Sequence, residues 1–176
     1  LIISFEDAKK IKFDITQEDL DGLEQSIRNY TSNNFQNRNI RLEGAQFTTN
    51  TITSVDDLTG FREGQTIQVS NSRFNDGLFV IKSINDDLIT FADNSFINQN
   101  APKALVTLVE YPADILSGVR KLLKYDSKMG DKIGVKSETV SRMSKTYYDV
   151  NSSENIEGYP AALMAFLNKY KKLRWS

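Results

Sequence analysis

The residues best spaced for chemistry in this chain lie in the segment GDKIGVKS. There Gly130, Lys136 and Ser137 match the first, seventh and eighth positions of a phosphate-binding loop, and the chemistry implied is nucleotide binding. The sixth position fails. Val135 replaces the glycine whose missing side chain lets the loop wrap phosphate, Gly134 stands one place early, and the segment follows a helical pattern rather than a strand. A connector is the better reading. Two acid pairs, Asp56-Asp57 and Asp86-Asp87, offer the paired carboxylates that can divide acid and base roles in glycoside hydrolysis. Neighbouring residues on a strand or turn point in different directions, however, and aspartate suits turns because its side chain satisfies nearby backbone donors. A calcium loop would need acids at alternate positions and a later glutamate, and that pattern is absent.

Other routes to catalysis are narrow. The chain has no histidine and no cysteine, which removes the commonest general base near neutral pH, the commonest metal ligand, thiol nucleophiles and zinc-thiolate sites. Carboxylate, lysine, tyrosine or serine chemistry is what remains. The expectation is a non-enzymatic protein with no catalytic residue, no cofactor and no metal.

Two further features suit binding. Phe47, Phe61, Phe74, Phe79, Phe91 and Phe96, interspersed with Arg62, Arg73 and Lys82, could stack bases, although phenylalanine in strands is more often core. The tail from Lys169 to Trp175 is rich in tyrosine, tryptophan and basic residues, the types that anchor protein interfaces. A tail docked back on its own core is the competing reading.

The elements that would position these groups follow from periodicity. Thr16 and Asp19 form a capping box before Leu20, Leu23, Ile27 and Tyr30, so a helix is predicted from Thr16 to about Asn33 and Asn34. A short helix is expected within Phe5 to Phe13. From Ile40 to about Val109 the pattern turns to short alternating runs: 40–42, 51–53, 66–69, 78–81, 88–91 and 104–106. Asn75-Asp76-Gly77 suits a tight hairpin between two of them. After Tyr111-Pro112 the residues Ile115, Leu116, Val119, Leu122 and Leu123 share one helical face. Residues 129–136 read as a loop, Thr139 to Val150 with Tyr147-Tyr148 as extended, and Asn151 to Glu154 as a turn. A last helix is expected from Pro160 through Tyr170. The predicted fold class is α+β: a helical body from residues 1–39 and 110–176, with a small antiparallel β module inserted at 40–109.

Composition sets the class. The chain has 176 residues, 39% apolar and 26% charged, enough for a core without disulfides or metal. Nothing approaches the roughly 20 consecutive apolar residues of a membrane span, and no secretory signal is read in LIISFEDAKK. Residues 1–111 carry 10 Lys+Arg against 16 Asp+Glu, and residues 112–176 carry 12 against 7. That asymmetry suits head-to-tail contact between copies or an acidic partner, and scattered surface charge gives the same sums.

Three segments in order, EYPADILSGVRKLLKYD, GVKSETVSRMSKTYYDV and GYPAALMAFLNKYKKLRW, resemble the head-tail connector (adaptor, or head-completion) proteins of long-tailed bacteriophages. The resemblance covers residues 112–176 best and the first helix more loosely. Residues 44–109 depart from the shortest members and look like the insert of longer relatives. It implies a structural virion protein at the head-tail interface, assembled in the host cytoplasm, whose copies form a ring, commonly of about twelve. Such a ring sits beneath the portal protein and extends the DNA channel. Its expected partners are its own copies, the portal, a stopper or tail-completion protein and the capsid, with only non-specific proximity to packaged DNA and no membrane. Carried over by position, the portal-binding arm is Tyr170, Lys171, Lys172, Leu173, Arg174 and Trp175. The alternatives are a nucleic-acid-binding module using the β insert and basic tail, and a small carboxylate-dependent hydrolase.

Overall fold

The β-branched and aromatic runs between residues 36 and 109 pair into one antiparallel sheet of seven strands. They are β1 (Gln36–Phe47), β2 (Thr51–Thr53), β3 (Thr66–Ser70), β4 (Gly77–Val80), β5 (Ser83–Asn85), β6 (Leu88–Thr90) and β7 (Gln99–Val109), in the order β4-β3-β7-β1-β2-β6-β5. The structure is a computed structural model, and it describes residues 1–129, 137–140, 143–146 and 155–173. Its chain divides into two units: Asn34–Glu110 with Leu1, and Ile2–Asn33 with the described residues from Tyr111 onward.

The sheet corrects the expected fold class. The architecture is not a helical body carrying a small β insert: the seven-stranded antiparallel sheet dominates, and among the described residues the helices are few and mostly short. The shortfall has a physical cause in β1 and β7, which are 12 and 11 residues long where alternation marked only Ile40 to Leu42 and Ala104 to Val106. Their pairing slips twice, between Asn37 and Arg41 and again between Glu43 and Ala45. Each irregularity breaks the period of two on which strand recognition rests. At the second slip Gly44 has φ of 81°, and a Cβ there would sit 3.2 Å from the Pro102 carbonyl oxygen. Glycine is needed on one strand, and proline is tolerated on the other because the ladder is already interrupted.

The two edges of the strand order are consecutive parts of one chain segment. Only Ile81 and Lys82 separate β4 from β5; the Ile81 amide donates to the Gln65 carbonyl beside β3, and the Lys82 amide donates to the Thr90 carbonyl of β6. At this point the sheet closes on itself as a barrel, with Leu42, Phe47, Ile52, Ile67, Ile81, Ile89, Val106 and Leu108 buried inside. Phe96 packs against Phe79 at 4.5 Å, Phe91 at 5.0 Å and Phe47 at 5.3 Å between ring centroids.

The turns differ from expectation too. Asn75-Asp76-Gly77 does not form a tight hairpin. The loop between β3 and β4 is longer, and the Asp76 carboxylate closes it by accepting from the Asn71 amide, the Ser72 amide and the Ser72 hydroxyl. Asn75 is buried and clasps Ile97 through both its carbonyl and its amide group. The tight turn is instead Asp86-Asp87, between Asn85 and its partner Leu88.

The second unit contains α1 (Phe5–Lys9), capped by Ser4, and α2 (Gln17–Thr31), whose N-terminus carries the Thr16 and Asp19 capping box. Helix α3 (Ala113–Met129) buries Ile115, Val119, Leu122 and Leu123. Two backbone hairpins follow: β8 (Ser137–Val140) with β9 (Met143–Thr146), and β10 (Asn155–Ile156) with β11 (Tyr159–Pro160). The expected final helix is divided, since α4 (Ala161–Met164) gives way to a 3₁₀ helix at Ala165–Tyr170. That tighter winding lays the Phe166 ring over Gly118 of α3, where an added Cβ would be 2.2 Å from the ring. Residues 130–136, Tyr147-Tyr148 and Asn151 to Glu154 lie outside the described residues, and with them most of GDKIGVKS.

Candidate functional site

The basic tail is the sequence-marked feature for which the structure gives the most detail. Its root is tied into the second unit at two places. At the end of α2 the Lys172 amide donates to the Thr31 carbonyl at 2.8 Å, one of the helix-terminal acceptors that has no partner within a helix. The Asn33 side-chain amide donates to the Tyr170 carbonyl at 3.3 Å, and the Tyr30 hydroxyl donates to Asn168 at 3.1 Å. The Lys171 ammonium lies 3.8 Å from the centre of the Tyr30 ring, near the helix end where the dipole favours a cation.

The other mooring is the first turn of α3. There Asp114 takes the Tyr170 hydroxyl on one oxygen and pairs with the Lys169 ammonium through the other, each at 2.6 Å. Lys169 first, and then Tyr170, hold the Asp114 carboxyl below the usual carboxylate range. The same contacts raise the Lys169 ammonium and the Tyr170 hydroxyl. An acid in a first helical turn also meets the positive end of the helix dipole.

Of the six residues assigned to a portal-binding arm, Tyr170, Lys171 and Lys172 are thus anchored at their backbone or side chains. Leu173 emerges with 81% of its surface exposed. Arg174 and Trp175 lie outside the described residues. The arrangement is a fixed root from which an apolar side chain leaves the surface.

The acid pairs do not converge. Asp56 accepts from the Glu43 amide at 2.6 Å, and Asp57 accepts from the Thr59 amide and hydroxyl, which lowers its carboxyl. Asp86 and Asp87 are exposed on their turn. Among the described residues there is no group of three acids placed to hold a metal. The phenylalanines are mostly spent inside the barrel: Phe47, Phe61, Phe91 and Phe96 are buried, and Phe74, 53% exposed, lies under Arg73 at 4.8 Å.

Two arrangements escaped the sequence reading. Glu24 and Arg28 are 4% and 9% exposed on the inner face of α2. The Tyr111 hydroxyl donates to Glu24 at 2.7 Å and accepts from Arg28 at 3.5 Å. Burial, then the Glu24 charge, raises the Tyr111 hydroxyl well above its ordinary range. The signal was present: a glutamate and an arginine four apart among Leu20, Leu23 and Ile27 fall on the apolar face. The second is the half-buried Asp126, which accepts the Tyr159 hydroxyl at 2.6 Å beside a cavity of about 220 Å³. No helix among the described residues is long and apolar enough to cross a membrane. No protein-family model matches the chain, and no curated protein matches it significantly.

Proposed function

We propose that this chain is a structural subunit of a ring-forming adaptor that joins a capsid portal to the tail or stopper and extends the channel for DNA. The observation that carries the reading is the carboxyl-terminal segment. It coincides with the part of the sequence that resembles phage connectors, and its anchored root presents Leu173 outward ahead of Arg174 and Trp175. Apolar, arginine and tryptophan side chains in succession supply the area and polar contact that interface anchors need. Assembly of this kind is geometric: one surface of each copy meets a different surface of the next, and the ring closes when the rotation is right.

The moored root decides how the test must be cut. Removing everything after Asn168 would also delete the Tyr170 bond to Asp114 and the Lys172 cap on α2, so loss of binding could then reflect damage to the second unit. Truncation after Lys172 spares both. Mass photometry of the chain mixed with a candidate portal ring should show many added copies for the intact protein and none for the truncated one, with unchanged circular dichroism. Equal binding by both would remove the tail from the interface. Failure of the intact chain to bind, together with salt-dependent uptake of DNA, would replace the adaptor reading with the nucleic-acid one.

A further inference from the structure

The cavity in the second unit has an apolar floor and a charged wall. Ile15, Ile27, Leu123 and Met164 are buried at its base, while Asp126 and Tyr159 stand at its side. Among the described residues Asp126 accepts one hydrogen bond, from Tyr159, and forms no ion pair. Burial raises its carboxyl above the usual carboxylate range; the Tyr159 hydroxyl and Lys12 pull it down, and Asp19 pushes it up again. A partly desolvated carboxylate is normally matched by a cation or by a proton. Lys12, at the rim, acts on Asp126 only through space. Asp19 and Glu157 also line the opening, so among the described residues acids outnumber this lysine there.

We propose that this cavity binds an organic cation, an ammonium or guanidinium head carried on an apolar stem, with the head on Asp126 and the stem over Ile27, Leu123 and Met164. A lysine or arginine side chain of a second copy has that chemistry, and so does a small alkyl amine. The volume, about 220 Å³, accommodates a side chain but not a folded ligand of drug size. The proposal stands apart from the adaptor reading, since either source could fill the cavity whatever the protein assembles with.

The test uses the full chain and n-butylammonium as the probe, with neutral 1-butanol as the control of equal stem. Amide resonances of Leu23, Ser26, Asp126 and Tyr159 should shift saturably with butylammonium, and butanol should bind at least about tenfold more weakly. Asp126→Asn keeps an acceptor for Tyr159 and should bring butylammonium down to the level of butanol. Equal affinity of the two probes for the native chain, or no saturable shift, overturns the proposal. Sedimentation then identifies the source. Self-association that weakens with butylammonium and with Asp126→Asn assigns the cation to a second copy, whereas self-association unaffected by both assigns it to a free amine.

Discussion

The two units divide the aromatic residues between them. Between residues 34 and 110 the chain has seven phenylalanines and no tyrosine, and all seven of its tyrosines lie in the remaining residues. In the barrel, Phe47, Phe79, Phe91 and Phe96 meet ring against ring. In the other unit, tyrosine hydroxyls reach carboxylates: Tyr111 to Glu24, Tyr159 to Asp126 and Tyr170 to Asp114, at 2.6 to 2.7 Å. The barrel's core is held by area and shape, which have no charge state, and its carboxylate bonds, such as those of Asp76, close exposed loops. The helical unit is held in part by directional bonds to groups that titrate, so its stability should depend on protonation and on single hydroxyls.

The sharpest way to break this contrast is to remove volume from the barrel. Phe96→Ala takes away the ring that touches three others and should cost about 3–5 kcal/mol of unfolding free energy, read from the denaturant midpoint. A loss below about 1 kcal/mol would mean that the ring cluster is not what holds the barrel. Next in size is Tyr111→Phe, which deletes one oxygen from the buried site between Glu24 and Arg28. Leaving that carboxylate short of a donor should cost about 1–3 kcal/mol while retaining the ring. No measurable loss would make the tyrosine bonds ornamental and leave apolar burial as the common principle of both units.

The same contrast explains what the sequence made legible. Capping at Thr16 and Asp19 and the apolar face of α3 are local patterns, and the structure has both. The barrel was seen only as scattered runs, because the slips beside Asn37 and Glu43 reset the alternation of β1 and β7. Closure at Ile81 and Lys82 depends on consecutive amides that donate to two different places, Gln65 beside β3 and Thr90 of β6, and apolar periodicity carries no trace of such pairing. The tail was legible as an aromatic and basic segment, but its mooring at Thr31 and Asp114 spans over fifty positions and could not be read from spacing. Conversely, Asn75-Asp76-Gly77 carried a strong turn signal and was used differently, because Asp76 bonds to Asn71 and Ser72 instead of turning the chain itself.

The smallest predicted effect lies within α3, whose two tyrosine-bonded acids are shifted in opposite directions. Asp114 is held down by Lys169 and Tyr170, so its contribution is present above the ordinary value of 3.8 and is lost as pH falls through its lower folded value. Asp126 is pushed up by burial. Its folded form holds a proton more tightly than the unfolded chain does, so the stabilisation is full below 3.8 and disappears as pH rises through the raised value. At neutral pH the ionised Asp126 therefore weighs against folding, and Asp126→Asn should raise the urea midpoint. The gain should be under about 1 kcal/mol, because a half-exposed carboxylate is largely screened by solvent. Repeating the measurement below pH 3.8 should erase the difference, since both side chains are then neutral. A variant less stable than the native chain at neutral pH would reverse the sign. The carboxylate would then be gaining more from Lys12 than it loses to burial, and the cavity would lack the unmet charge that makes it a cation site.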